Sequence, residues 1–174
     1  IIGLETVDKA LLDNCSHLEF ISKYGVGLDN LDLKLCAQRK IGIGWTGGVN
    51  KLSVAELAVG SMLALCRNFY VVSNKLKRGQ WDKSGGFQLS GKTVGIIGFG
   101  HIGQEVARLL KPFDCRILVN DILDFSALCA KNNFEVSTQD NIFRNADFIT
   151  VHTPLTEETK HMIRAKTLAM MKPR

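Results

Sequence analysis

"TVGIIGFGHIGQEVARLL", residues 93–110, places three glycines between two apolar patterns of different period. Residues 93–97 form a short, β-rich apolar run, which is typical of a buried strand. From Ile102 onward, apolar residues recur at i, i+4, i+7 and i+8, which is the apolar stripe of a helix. The sequence therefore predicts a strand, a glycine turn and a helix, in that order.

The three glycines, Gly98, Gly100 and Gly103, match the pattern G-x-G-x-x-G. In this setting the first glycine permits a tight turn, the second lets a pyrophosphate approach the backbone, and the third lets the helix pack against the strand. The unpaired N–H groups and positive dipole end of the helix favour bound phosphate. The pattern indicates dinucleotide binding, with a merely structural glycine turn as the alternative.

An acidic residue, Asp121, ends the strand-like run "CRILVND", residues 115–121. It follows the glycines at close to the spacing of about 20 residues that is typical of an acid binding the adenosine ribose. A carboxylate there repels a 2′-phosphate, and residues 122–124 supply no Arg or Lys to pair with one. The sequence predicts NAD in preference to NADP, with another nucleoside cofactor as the alternative. His101, inside the turn, is interpreted as a solvent-facing residue because no substrate proton is expected beside the phosphates.

The composition is that of an ordinary globular protein, with 174 residues, 45% hydrophobic, 22% charged and a net charge of +5. The densest basic stretch, residues 74–83, surrounds a single Trp81 and lacks the basic stripe with interleaved aromatics of a nucleic-acid site. The longest apolar stretch, residues 54–66, is interrupted by Glu56 and is too short to span a bilayer. We expect neither a nucleic-acid partner nor a membrane.

The cysteines are scattered and contain no C-x-x-C pair. They are Cys15, Cys36, Cys66, Cys115 and Cys129. Their spacing fits neither a disulfide framework nor a metal site, and it favours reduced thiols in a cytoplasmic protein.

Strand-like and helical segments alternate along the chain, which predicts an α/β fold with a doubly wound parallel sheet. The predicted strands are residues 1–3, 20–24 and 41–45 and segments near Val94, Ile117, Phe134 and Phe148, and the first helices lie around Lys9 and at residues 31–40. Ser53 and Glu56 form an S-x-x-E capping box, which predicts a helix from about Val54 to Asn68 that is apolar nearly all round. We place a domain boundary near Asn50.

A second glycine turn lies in "KYGVGLDN", residues 23–30, where Gly25, Val26 and Gly27 follow a strand-like run and precede a helix. Successive N–H groups in such a turn can converge on an anion and form a backbone nest. From the residues alone, the pattern favours a plain strand-to-helix turn over an anion-binding nest.

Several ordered motifs together resemble the D-isomer-specific 2-hydroxyacid dehydrogenases, most closely their phosphoglycerate dehydrogenase branch. They are "KYGVGLDN" (23–30), "GGVNKLSVAEL" (47–57), "RGQW" (78–81), "GKTVGIIGFGHIGQEVARLLKPF" (91–113) with Asp121, "ADFITVHTPLTEETKHMI" (146–163) and "MKP" (171–173). The resemblance covers nearly the whole chain. It implies a Rossmann-type NAD-binding domain at residues 50–174 and part of a flavodoxin-like α/β substrate domain at residues 1–49.

The resemblance also implies roles for individual residues. Val26 and Gly27 match the turn that binds the substrate carboxylate, and Val26 also approaches the nicotinamide. The implied cofactor contacts are Gly98, Gly100, His101, Ile102 and Gly103 at the pyrophosphate, Asp121 at the ribose, and His152, Thr153, Pro154 and Thr159 in the following loop. The family's catalytic histidine, glutamate and arginine follow the "MKP" motif, so the resemblance places no catalytic residue in this chain, which alone is expected to be inactive.

The implied activity is hydride transfer between NAD(H) and a D-2-hydroxy acid or 2-keto acid. The substrate stays open among 3-phosphoglycerate, glyoxylate, a phosphonate and other hydroxy acids. The family also implies a homodimer through the helix beginning at Ser53, for which Val54, Leu57, Ala58, Met62 and Leu65 supply apolar surface. The alternative function is an NAD-responsive binding module, as in corepressors with the same fold. S-adenosylmethionine-dependent methyl transfer also uses a glycine loop and a ribose acid, but the other motifs disfavour it.

Overall fold

A computed structural model describes residues 1–83 and 85–173, and Ser84 and Arg174 lie outside the described residues. The chain divides into two compact units. The first comprises Ile1–Asn50 together with Pro154–Lys160, and the second comprises Lys51–Thr153 together with His161–Arg174. The change of unit after Asn50 lies next to the boundary expected from the sequence. The assignment of Pro154–Lys160 to the first unit had no counterpart in the sequence analysis.

The first unit is a small α/β structure. Its elements are α1 (Lys9–Asn14), β1 (Phe20–Ser22), α2 (Leu33–Gln38) and β2 (Gly42–Gly44). The two strands pair in parallel, with Ile21 opposite Ile43. Asp8 and Asp32 begin the two helices, because each carboxylate accepts a hydrogen bond from a backbone N–H of the first turn. Val7, Leu12, Ile21, Leu31, Cys36 and Ile41 form the core.

The predicted strand at residues 1–3 is wrong. Ile2 forms only an isolated bridge to Lys23, and the flanking Ile1 and Leu4 are almost fully exposed. Ile2 alone packs against the core of this unit, and one covered side chain in a β-rich run does not produce a strand.

The second unit contains the strand, turn and helix of the opening motif. Its elements are α3 (Lys51–Cys66), α4 (Phe69–Lys77), β3 (Thr93–Ile97), α5 (His101–Leu110), a 3₁₀ turn (Lys111–Phe113), β4 (Arg116–Asn120), α6 (Ser126–Asn132), β5 (Glu135–Val136), α7 (Gln139–Asn145), β6 (Phe148–Val151) and α8 (Ala165–Leu168). All four strands are parallel, in the order β5-β4-β3-β6. The predicted doubly wound parallel sheet is confirmed.

The strand order reverses at β3, since β4 and β5 lie on one side of it and β6 lies on the other. In open parallel sheets, ligands bind outside the carboxyl ends of the strands at such a switch point. The glycine turn follows β3 directly, so the fold delivers Gly98 to this position.

Both faces of the sheet are covered by apolar side chains, as in other parallel sheets. On one face, Val94 and Ile96 of β3 belong to a core shared with α3 and α5. On the other, Ile97 belongs to a cluster with Ile142 and Phe143 of α7. Alternation of side chains along β3 assigns its residues to the two faces, and the strand is therefore apolar throughout.

The helix predicted from Val54 to Asn68 exists, but its predicted start is wrong. It begins at Lys51, so Ser53 lies inside the first turn rather than at the N-cap. It ends at Cys66, because Asn68 adopts a left-handed conformation with φ of +48° and redirects the chain into α4. Within the described residues, no single helix meets the length and apolarity required of a membrane span. Only α3 and α4 taken together do, and they are bent by 65°.

Candidate functional site

The turn after β3 requires glycine at two positions. Gly98 has φ of +90°, and a Cβ there would lie 2.6 Å from the carbonyl oxygen of His152. A Cβ at Gly103 would lie 2.2 Å from the carbonyl oxygen of Gly98. The first glycine thus permits the turn, and the second lets α5 approach it closely.

Gly100 is different, because a Cβ at this position would meet no heavy atom within 4 Å. Gly100 is the N-cap of α5 and provides no side-chain hydrogen bond to the helix. The first N–H groups of an α-helix have no partner within the helix, and their dipole end is positive. An open approach to an uncapped helix of ten residues fits the pyrophosphate of a dinucleotide.

Asp121 lies directly after β4 and is tied to the glycine turn. Its Oδ2 accepts a hydrogen bond from the Phe99 N–H at 2.5 Å, and its Oδ1 accepts one from the Leu123 N–H at 2.9 Å. The carboxylate is therefore held in a fixed direction beside the phosphate-binding backbone. The hydrogen bond to the N–H of Phe99 was not predicted, because backbone donors leave no sequence signal.

The side chain of Phe99 attaches the turn to the hydrophobic core. Its side chain is 1% exposed, and its ring packs edge-to-face against Phe125 and Phe134, with centroid distances of 5.4 and 6.1 Å. Such pairs stabilise a core beyond simple burial. The turn thus combines a rigid apolar base with exposed backbone at Gly100.

A cavity of about 200 Å³ opens beside Asp121 at the carboxyl ends of β4 and β5. It is lined by Val119, Asn120, Asp121, Ile122, Leu123, Asp124, Phe125, Val136 and Ser137. Its wall is apolar except for the carboxylates, Asn120 and Ser137. This chemistry suits an adenosine, whose flat base needs apolar contact and whose ribose hydroxyls need acceptors.

His101 and Ile102 begin α5 and point in different directions. Ile102 packs against the core, whereas His101 is exposed and lines a cavity of about 260 Å³ with Gln104 and Glu105. The Arg108 guanidinium, hydrogen-bonded to Glu105, holds the pKa of that carboxyl below its usual value. The solvent-facing position predicted for His101 is confirmed.

His152 follows β6 and supports the glycine turn through its backbone. Its N–H donates to the Ile97 carbonyl at 2.8 Å, which extends the pairing of β6 with β3 past Val151. Its Nε2 lies 2.7 Å from the Thr150 hydroxyl oxygen, and burial lowers the pKa of the imidazole below its ordinary value of 6.5. The folded chain therefore favours the neutral ring.

This burial makes stability depend on pH. The pKa of His152 is lower in the folded chain than in the unfolded chain. The stability that depends on a neutral imidazole at this position is therefore complete above about pH 6.5 and is lost as the pH falls toward the folded pKa. We expect the free energy of unfolding of the parent chain to decrease as the pH falls below about 6.5, because the unfolded chain then binds a proton that the folded chain disfavours. His152→Gln should flatten the slope in urea titrations, whereas the exposed His101→Gln should keep it. Equal slopes for all three proteins would contradict the assignment.

The remaining predicted site residues lie in the first unit. Gly25 has a φ of +101°, and this conformation permits the turn that contains Val26 and Gly27. The Val26 carbonyl accepts a hydrogen bond from the Trp45 indole, a contact that the sequence analysis missed. The hydroxyl of Thr159 donates to the Pro154 carbonyl at 2.6 Å and so stabilises a short loop.

The second unit therefore brings most of the predicted cofactor residues to the switch point. They are Gly98, Gly100, His101, Ile102, Gly103, Asp121, His152 and Thr153. Val26, Gly27, Pro154 and Thr159 belong to the first unit.

Comparisons with known proteins agree with this geometry. Residues 59–174 match the family model of the D-isomer specific 2-hydroxyacid dehydrogenase, NAD binding domain. The chain is 38% identical over 168 residues to a hydroxypyruvate reductase of Thermotoga maritima, covering 93% of this chain and 53% of that protein. It is 36% identical over 169 residues to a D-3-phosphoglycerate dehydrogenase of Methanocaldococcus jannaschii, covering 95% of this chain and 32% of that protein.

A solved structure shows the same architecture. The D-lactate dehydrogenase of Aquifex aeolicus, complexed with NAD and lactic acid, superposes with a TM-score of 0.89 at 27% identity, covering 98% of this chain and 52% of that one. The chain spans about half the length of this dehydrogenase and of the hydroxypyruvate reductase. With a parallel sheet, a glycine turn at its switch point and a family model covering most of the sequence, the chain belongs to the D-isomer specific 2-hydroxyacid dehydrogenases and carries their NAD-binding domain.

Proposed function

We propose that this chain binds NAD(H) for an oxidoreductase that interconverts a D-2-hydroxy acid and the corresponding 2-keto acid. The observation that carries the proposal is the open, uncapped helix start at Gly100 with the Asp121 carboxylate tied to the adjacent turn. The names of the relatives, hydroxypyruvate reductase and D-3-phosphoglycerate dehydrogenase, support this class of reaction.

The chain's own residues divide the binding task. The N–H groups at the start of α5 would hold the pyrophosphate, and Asp121 would accept hydrogen bonds from the adenosine ribose. His152 and Thr153 would line the cofactor beside the turn, with Pro154 and Thr159 contributing from the loop that follows. When bound, the nicotinamide supplies the hydride acceptor or donor.

Val26 and Gly27 would bind the substrate carboxylate through their backbone N–H groups. Such a nest recognises the feature common to 2-hydroxy and 2-keto acids and leaves the rest of the substrate unspecified. The substrate is therefore proposed as a small 2-hydroxy or 2-keto acid, with hydroxypyruvate, glyoxylate and 3-phosphohydroxypyruvate as the first compounds to test.

The proposal is tested in two steps. Calorimetric titration of the 174-residue chain should show saturable binding of NADH. The full-length protein should then oxidise NADH in the presence of one of these keto acids. Absence of NADH binding would overturn the proposal. If the full-length protein binds NADH but oxidises it with none of these keto acids, a non-enzymatic NAD-responsive module would be favoured.

We further propose that the protein is a homodimer that buries α3 and α4. Large apolar side chains are exposed along these helices, namely Leu52, Leu57, Leu63, Leu65, Phe69, Tyr70, Val71 and Leu76. Exposed apolar surface of this extent is typical of a protein interface. Met62, which the sequence analysis assigned to this surface, is only 5% exposed and belongs to the core, because it turns toward the helix face that packs against α5.

The dimer makes a direct prediction at Leu57, which is 70% exposed. Leu57→Glu should weaken self-association at least tenfold, because it would place a charge in a desolvated contact. Sedimentation velocity at micromolar concentration measures the change. Leu33→Glu is the matched control, since Leu33 is 43% exposed on α2, outside α3 and α4, and its change should leave association unchanged. A monomeric parent chain that binds NADH normally would contradict the proposal.

A further inference from the structure

Trp45 lies directly after β2, at the edge of the first unit where the turn of Val26 and Gly27 follows β1. Its indole Nε1–H donates a hydrogen bond to the Val26 carbonyl oxygen at 3.0 Å. The carboxyl ends of the paired parallel strands meet at this edge, and the fold therefore delivers the indole to the turn.

The hydrogen bond fixes the direction of an N–H group. The Val26 carbonyl and the Gly27 N–H belong to the same planar peptide unit, in which the two groups point in opposite directions. Holding the carbonyl toward Trp45 therefore aims the Gly27 N–H away from the indole.

This peptide has few other restraints. Gly25 and Gly27 flank Val26, and glycine permits rotations that other residues resist. Over residues 1–83 and 85–173, the structure shows no hydrogen bond donated by the N–H of Val26 or of Gly27. Both donors are available to a ligand, and Trp45 determines which way the second one points.

The same contact also strengthens the donor. A hydrogen bond accepted by a peptide carbonyl polarises the amide, so its N–H becomes a better donor. The indole N–H thus orients the Gly27 N–H and increases its attraction for an anionic oxygen.

We infer that Trp45 is a positioning residue for substrate, which holds the Val26–Gly27 peptide so that the Gly27 N–H meets the substrate carboxylate. The inference rests on the proposed function of this turn in carboxylate binding. Trp45 acts through the peptide, and its indole need not touch the substrate.

Removal of the indole donor tests the inference. Trp45→Phe keeps an aromatic ring and deletes the N–H, and Trp81→Phe is the matched control, because Trp81 is the other tryptophan and is 73% exposed. The probe is oxalate, an unreactive dicarboxylate analogue of a 2-keto acid, titrated by NMR into the full 174-residue chain. Benzothienylalanine at position 45, which preserves the shape of the indole, serves if Trp45→Phe does not fold.

We expect oxalate to bind the parent chain and Trp81→Phe equally, and to bind Trp45→Phe about three- to tenfold more weakly, as for the loss of one hydrogen bond. The Gly27 amide proton should shift on oxalate addition in the parent and shift less in Trp45→Phe. NADH affinity and the thermal unfolding midpoint should be the same in both. This combination separates positioning from a general loss of structure.

The two possible failures give different results. If oxalate binds the parent and Trp45→Phe with equal affinity, the role of Trp45 is wrong and the carboxylate turn stands. If oxalate neither binds the parent nor shifts the Gly27 amide, the carboxylate turn is wrong, and the inference fails with it.

Discussion

Gly103→Ala is expected to destabilise the second unit by about 2–3 kcal/mol, in the range of an overpacked core, and to weaken NADH binding at least tenfold. The added methyl would lie 2.2 Å from the Gly98 carbonyl oxygen and 3.2 Å from the Ile96 side chain. Neither neighbour can yield easily, since one is backbone and the other is fully buried in β3. Helix α5 must therefore move away from the turn, and its N–H groups move with it.

Gly100→Ala is the matched comparison for Gly103→Ala, because both make the same substitution within the glycine turn. A Cβ there meets nothing within 4 Å, so the free energy of unfolding should change by less than about 1 kcal/mol, the usual cost of a poorer N-cap. The methyl would nevertheless occupy the approach of the pyrophosphate. We expect a loss of NADH affinity of at least tenfold without loss of fold.

Urea unfolding and calorimetric titration with NADH, applied to both variants, distinguish a binding turn from a structural one. If the glycine turn were merely structural, Gly100→Ala would change neither the free energy of unfolding nor the NADH affinity, because no ligand would approach the exposed side of Gly100. Unchanged NADH affinity in Gly100→Ala would therefore contradict the assignment of the pyrophosphate site.

The contrast between these glycines shows why the second unit was predictable from sequence. Gly98 and Gly103 are required by backbone geometry that few other residues permit, and their spacing reports that geometry directly. The strands near Val94 and Ile117 were predictable because parallel strands with two covered faces are apolar throughout. Local patterns determine these features, so local reasoning finds them.

Other features depend on contacts between distant residues and were missed or misplaced. Ser53 has the sequence of an N-cap, yet α3 begins at Lys51, because the packing of a long helix overrides a local capping signal. Trp45 carries no motif, and its indole meets Val26 only because two parallel strands end side by side. The Asp121 hydrogen bond to the Phe99 N–H likewise arises from the pairing of β3 with β4.

The Asp121 carboxylate that accepts the Phe99 N–H also affects which cofactor binds. Asp121→Asn is expected to weaken NADH binding and to strengthen NADPH binding, so that the preference for NADH narrows by about tenfold or more. The carboxylate makes charge-assisted hydrogen bonds to ribose hydroxyls, worth more than neutral ones. A carboxylate and a phosphate a few ångströms apart near a protein surface repel each other by a few kcal/mol. Asparagine keeps an acceptor for the Phe99 N–H but removes both charge effects.

Calorimetric titration with NADH and NADPH measures the change in this preference, and Asp140→Asn provides the control. Asp140 is an exposed carboxylate in the first turn of α7 and does not line the cavity beside Asp121, so its loss should leave the ribose site unchanged. If the parent chain binds NADPH as tightly as NADH, Asp121 does not select the cofactor. If Asp121→Asn weakens both cofactors equally, the carboxylate acts only by holding the turn at Phe99, and discrimination against the 2′-phosphate must come from the exposed side chains of Ile122 and Leu123, which offer a phosphate no partner.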